Sequence, residues 1–96
     1  MVMVYAILIL DLKLNGCRSL KEKRSILKPF LHKLHKDFNV SAAEVDKNDA
    51  WNESIIACAL ISNEKLLAES CLAKIPDFII KYFPDVDILK FSIQFL

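Results

Sequence analysis

Apolar residues alternate along the start of the chain and then change period. From Val2 to Leu14 the residues are mostly aliphatic, with Val4, Ala6, Leu8, Leu10, Leu12 and Leu14 on one side. Met3, Tyr5, Ile7 and Ile9 occupy the other side, ahead of Asp11 and Lys13. A period of two predicts a strand, and two apolar faces predict a central one. After the turn Asn15-Gly16-Cys17-Arg18, Leu20, Ile26, Leu27, Phe30, Leu31 and Leu34 recur at helical spacing. Ser19 and Glu22 stand at capping-box spacing, so the helix starts there and runs to about Lys36, with Pro29 inside it.

Phe38, Val40 and Ala42 alternate again and predict a strand over Phe38–Asp46. Lys47–Ala50 makes a hairpin turn, and Trp51–Ser62 is the third strand, apolar almost throughout Ile55–Ile61. A second helix starts near Ser62-Asn63-Glu64 and runs to about Tyr82. Leu67, Cys71, Leu72, Ile75, Phe78, Ile79 and Tyr82 are expected on its core face, with Pro76 bending it. Pro84-Asp85 turns the chain into a last strand, Val86–Phe95, where Leu89, Phe91, Ile93 and Phe95 alternate with Lys90, Ser92 and Gln94.

The order strand, helix, strand, strand, helix, strand predicts an α+β, ferredoxin-like βαββαβ fold. One four-stranded antiparallel sheet in the order 4-1-3-2 carries both helices on one face, and residues 1–96 make a single domain. The first and third strands are the two that are apolar on both sides, as the central positions require. The face without helices carries Met3, Tyr5, Ile7 and Ile9. A contiguous apolar patch there predicts a homodimer packed through the sheet; the alternative is a sheet face that is simply apolar.

The 54% hydrophobic content, with 1 Gly and 3 Pro, suits a packed core and argues against disorder or a linker. The net charge is only +1, so bulk charge does not attract a polyanion. Its distribution is uneven: residues 1–40 carry eight Lys/Arg against three Asp/Glu, and residues 41–96 carry five against nine. Cys17, Cys58 and Cys71 are odd in number and have no metal spacing, which predicts reduced thiols in a cytoplasmic protein. Met1–Leu10 is too short for a membrane span and lacks a basic leader segment.

Candidate chemistry centres on Arg18-Ser19-Leu20-Lys21-Glu22-Lys23-Arg24. A helix start favours anions and disfavours cations, so these basic residues need partners. Lys23 falls in the apolar sector of the helix, at the end of the fold that also holds the acidic hairpin. Lys23 or Arg24 is therefore expected to pair with Glu44 or Asp46 as a structural ion pair. Lys21, Lys28, His32, His35 and Lys36 share the opposite, solvent face. With Arg18, the residues Lys21, Lys28, His32 and Lys36 are the candidate nucleic-acid contacts, against the plainer alternative of a solvated face.

His32 and His35 lack a third ligand, and Glu44, Asp46 and Asp49 do not fit a calcium loop, so no metal or other cofactor is expected. Trp51 reads as a packing residue at the end of the sheet. The sheet lacks the paired aromatics of an RNA-recognition motif. No catalytic residue is identified; an acylphosphatase-like site would have only Arg18 and Asn52 as loose stand-ins.

The segments Ser19–Arg24, Phe38-Asn39-Val40-Ser41, Ala43-Glu44-Val45-Asp46, Asp49 followed by Trp51, and Ile61-Ser62-Asn63 carry a family resemblance. Over almost its whole length the chain resembles the YlxP-like family of small bacterial proteins, a domain of unknown function. Pro29 and Pro76 depart from the family's more regular helices, and Lys47 stands where a histidine is expected. The resemblance implies a ferredoxin-like fold, a cytoplasmic bacterial setting and gene neighbours in translation initiation and ribosome maturation, including ribosome-binding factor A. It implies no activity. Three expectations follow: a non-enzymatic module for the ribosome, its RNA or a translation-factor partner; a homo-oligomeric scaffold acting through the sheet face; and, third, an acylphosphatase-like enzyme.

Overall fold

A computed structural model describes residues 1–96. The elements follow in the order β1 (Val4–Leu14), α1 (Leu20–Phe38), β2 (Ser41–Asp46), β3 (Glu53–Ser62), α2 (Lys65–Tyr82) and β4 (Val86–Phe95). They form one antiparallel sheet in the order β2-β3-β1-β4, which is the expected 4-1-3-2 read from the other edge. The fold is α+β and ferredoxin-like, with β1 and β3 in the middle because only they are apolar on both faces.

The core lies between the sheet and the helices. Ala6, Leu8, Leu10, Leu12 and Leu14 of β1 are all buried, beside Ile56 and Cys58 of β3. Leu27, Phe30 and Leu34 close over them from α1, and Ala68, Leu72, Ile75 and Ile79 from α2. Both helices pass through their prolines as continuous elements. Pro29 is exposed, whereas Pro76 is buried against the core. No helix is long and apolar enough to cross a membrane.

Several boundaries and faces differ from the sequence-based expectation. Helix α1 continues through Phe38, which stacks edge-on against Phe78 at 4.9 Å, and the left-handed Asn39 (φ 49°) ends it. Strand β2 therefore begins at Ser41. The buried stripe of α2 is Ala68, Leu72, Ile75, Pro76 and Ile79, which turns Leu67 and Tyr82 out to solvent. Trp51 precedes β3 and is 53% exposed, so it is not the packing residue its position suggested. In β4 a bulge at Leu89 breaks the alternation: Lys90 pairs with Asp11, but Ile88 pairs with Leu12. Leu89, the inserted residue, is consequently half exposed; Phe91 pairs with the buried Leu10 on the helix side, and it too is half exposed on this edge strand.

Candidate nucleic-acid interface

The start of α1 is built by local chemistry. Gly16 takes a left-handed turn at φ 78°, a conformation that glycine adopts without cost. Ser19 then caps the helix, its hydroxyl accepting from Glu22 N–H at 3.1 Å. Glu22 answers by accepting from Arg18 N–H at 2.8 Å. This reciprocal box places a carboxylate at the positive end of the helix. Two donors that could have faced an outside anion are thus used within the chain.

Lys23 leaves the row of basic residues altogether. Its side chain is 2% exposed. Its ammonium donates to Lys47 O at 2.8 Å, Ala50 O at 2.6 Å and Glu44 Oε2 at 2.7 Å. Three donors meet three acceptors, so the buried charge is fully satisfied. Glu44 also accepts from the buried Ser54 hydroxyl at 2.6 Å. Arg24 and Asp46, the other two residues considered for this pair, take no part in an ion pair; Asp46 instead accepts from Lys47 N–H at 2.7 Å.

Lys47 forms a second centre that sequence reasoning missed. Its backbone is left-handed (φ 58°), and its ammonium lies 3.5 Å from Asp11 Oδ1 and 3.4 Å from Glu53 Oε1. Desolvation acts to lower its pKa, but the charges of Asp11 and Glu53 and its hydrogen bond to Glu53 together outweigh that and raise it. Asp11 Oδ1 is buried without a hydrogen bond and relies on the nearby ammonium charge. The pairing of β1, β2 and β3 brings these residues together, and no local motif announces it.

The remaining basic residues face outward. Arg18, Lys21, Lys28, His32 and Lys36 are all exposed, and none of them pairs with a carboxylate. Arg24 flanks the same row and is also exposed. From Lys21 to Lys36 the row extends about 22 Å at the helical rise per residue. A shallow groove of about 390 Å³ runs beside it, with Arg24 and Lys28 at its rim and Leu27, Leu31 and Asn48 among its lining.

The other candidates are placed as follows. His35 Nδ1 lies 2.8 Å from Val40 O at the end of α1, so that nitrogen is occupied. No three His, Cys, Asp or Glu side chains gather at metal-binding distances. Burial pushes the Cys58 thiol up to about 12. Cys17 is buried and donates to Ser19 O at 3.5 Å, and Cys71 is half-buried. At the turn considered for an acylphosphatase-like loop, Glu22 occupies the Arg18 N–H, and the Asn52 carbonyl accepts from Leu14 N–H at 2.8 Å. On the open sheet face Met3 and Tyr5 are exposed, while Ile7 and Ile9 are half-buried.

Comparison with known proteins finds similarity over most of the chain. Residues 5–93 match the family described as "Protein of unknown function (DUF503)". The chain is also similar to the "Uncharacterized protein YlxP" of Bacillus subtilis (strain 168), at 35% identity over 69 residues, covering 72% of this chain and 74% of that protein. With nearly all of its strands and helices inside the match, this chain belongs to the YlxP-like, DUF503 family of proteins of unknown function.

Proposed function

We propose that this protein is a non-enzymatic binding module that associates with the ribosome or its RNA, in translation or ribosome maturation. The observation that carries this reading is the row Arg18, Lys21, Lys28, His32 and Lys36, exposed and free of internal carboxylate partners. Lys23 and Lys47, by contrast, have their charges used inside the fold. A helix face of unpaired cations recovers free energy by releasing counterions from a phosphate backbone. The translation gene neighbourhood implied by the family resemblance points the same way. The test is co-sedimentation with ribosomal subunits at low and high salt. Association at low salt that weakens with added salt is expected, and no association at low salt would end the proposal.

A second reading is a homo-oligomeric scaffold or regulatory domain acting through the open sheet face. It is supported by the apolar groove of about 490 Å³ that Tyr5, Ile7, Ala59, Ile61 and Leu96 line there. Analytical ultracentrifugation of Tyr5→Asp and Ile7→Asp tests it. A wild-type monomer excludes it.

A further inference from the structure

The two edges of the sheet are built differently. Strand β2 is six residues long, carries Glu44 and Asp46, and loses its register between them. Short length, charge and a bulge are the usual protections of an edge strand. Strand β4 is ten residues long, and its bulge and its lysine both lie before Phe91. The stretch Phe91-Ser92-Ile93-Gln94-Phe95 has no charge, proline, glycine or bulge.

The backbone of this stretch is half free. Leu96 N–H donates to Tyr5 O, which fixes the alternation of the β1–β4 ladder. Gln94 and Ser92 bond inward to β1, and Phe95, Ile93 and Phe91 turn their N–H and C=O groups outward. Beside this edge runs a groove of about 610 Å³ between α2 and β4, lined in part by Ala73, Pro76, Ile80 and Phe91. Phe91 is 51% exposed and Ile80 64%, so an apolar strip lies against the free backbone groups.

We infer that β4 pairs antiparallel with β4 of a second copy of this chain, centred on Ser92, to make one continuous sheet across a two-fold axis. In that register Phe91 of one copy faces Ile93 of the other, and their outward N–H and C=O groups exchange hydrogen bonds. Ser92 meets Ser92, and Lys90 meets Gln94. No like charges face each other, which is the complementarity that self-pairing requires. Ile80 and Phe91 of both copies gather beside the axis on the helix side. The sheet face and the basic row of α1 remain open, so this inference stands apart from the function proposed above.

Sedimentation velocity across a wide concentration range, with amide hydrogen exchange on the wild-type protein, tests it. The expected result is a two-chain species in which the Phe91 and Ile93 amides are protected. Phe91→Pro removes an outward N–H that β1 does not use, so the variant is expected to be a monomer with unchanged circular dichroism. Tyr5→Asp, on the sheet face, is expected to remain dimeric. A wild-type monomer whose Phe91 and Ile93 amides exchange freely would overturn the inference and leave the edge to an extended segment of another protein. A dimer that survives Phe91→Pro, or one that Tyr5→Asp dissociates, overturns it as well. Should Phe91→Pro fail to fold, the wild-type exchange pattern decides.

Discussion

Lys23 Nζ lies 2.7 Å from Glu44 Oε2 beneath the β2–β3 hairpin, with the lysine almost wholly removed from solvent. The same ammonium holds the carbonyls of Lys47 and Ala50, so one side chain of α1 sets the shape of the hairpin turn. Removing the lysine leaves Glu44 and the Ala50 carbonyl without their partner. Lys23→Met is therefore expected to cost about 3–5 kcal/mol, as for other buried pairs broken on one side. Urea denaturation measures this. The double variant Lys23→Met/Glu44→Leu is expected to recover part of the loss, because the stranded carboxylate is gone. A single variant as stable as wild type contradicts the account.

The capping box at Ser19 gives a smaller and more local effect. Ser19→Ala removes the acceptor for Glu22 N–H and loosens the first turn of α1. A loss of about 1 kcal/mol is expected. Glu22→Gln should cost less, since an amide oxygen can still accept from Arg18 N–H while the charge at the helix start is lost. Thermal melts of the two variants, compared at one pH, check both the size and the order.

These two sites were visible in the sequence to different degrees. Ser19 and Glu22 form a local motif, and Lys23 could be picked out because it falls in the apolar sector of an otherwise amphipathic helix. The sheet order was legible because two strands, and only two, are apolar on both faces. The Lys47 centre was not legible, because Asp11, Lys47 and Glu53 come from separate elements and meet only through register. The Leu89 bulge was hidden for a related reason: an inserted residue leaves the local alternation looking regular and shows itself only against the partner strand. Trp51 was misplaced because its apolar ring suggested packing, whereas β3 starts two residues later.

The Lys47 centre predicts an alkaline signature. Asp11 and Glu53 raise its pKa above the ordinary 10.5 against opposing desolvation, so the folded chain holds this proton more tightly than the unfolded chain. The stabilisation is therefore fully present below about pH 10.5 and is lost as pH rises through the folded value. Lys47→Gln keeps the side chain's length but has no proton to lose. The stability difference between wild type and Lys47→Gln is expected to be constant at neutral pH and to shrink above that point. Urea midpoints measured from neutral to strongly alkaline pH test this, and a difference that grows with pH contradicts it.

Cys58 is expected to be chemically silent while the protein is folded. It lies on β3 with no exposed surface, and burial pushes its thiol up to about 12. At pH 8 the thiolate needed for alkylation or disulfide exchange is therefore scarce as well as inaccessible. Thiol titration of the native protein should leave Cys58 unlabelled, while half-buried Cys71 labels first. Full labelling of Cys58 should appear only with unfolding, so its labelling rate reports global opening. Rapid labelling of Cys58 at neutral pH in the native state would show that the core opens locally around β3.

The basic row of α1 can be tested by the form of its salt dependence rather than by affinity alone. If Lys21 and Lys28 each neutralise a phosphate, Lys21→Gln/Lys28→Gln lowers the slope of log affinity against log salt by about 0.7 per lysine on single-stranded RNA. Lys33 provides the control. It lies on the same helix but is paired with Asp37 at 3.5 Å, so Lys33→Gln should change the slope little. Both sets of residues are exposed, and folding stability should move by no more than about 0.5 kcal/mol in either variant. Equal effects from the paired and unpaired lysines would mean that net charge alone drives binding. A slope change confined to Lys21→Gln/Lys28→Gln would assign the contact to this face of α1.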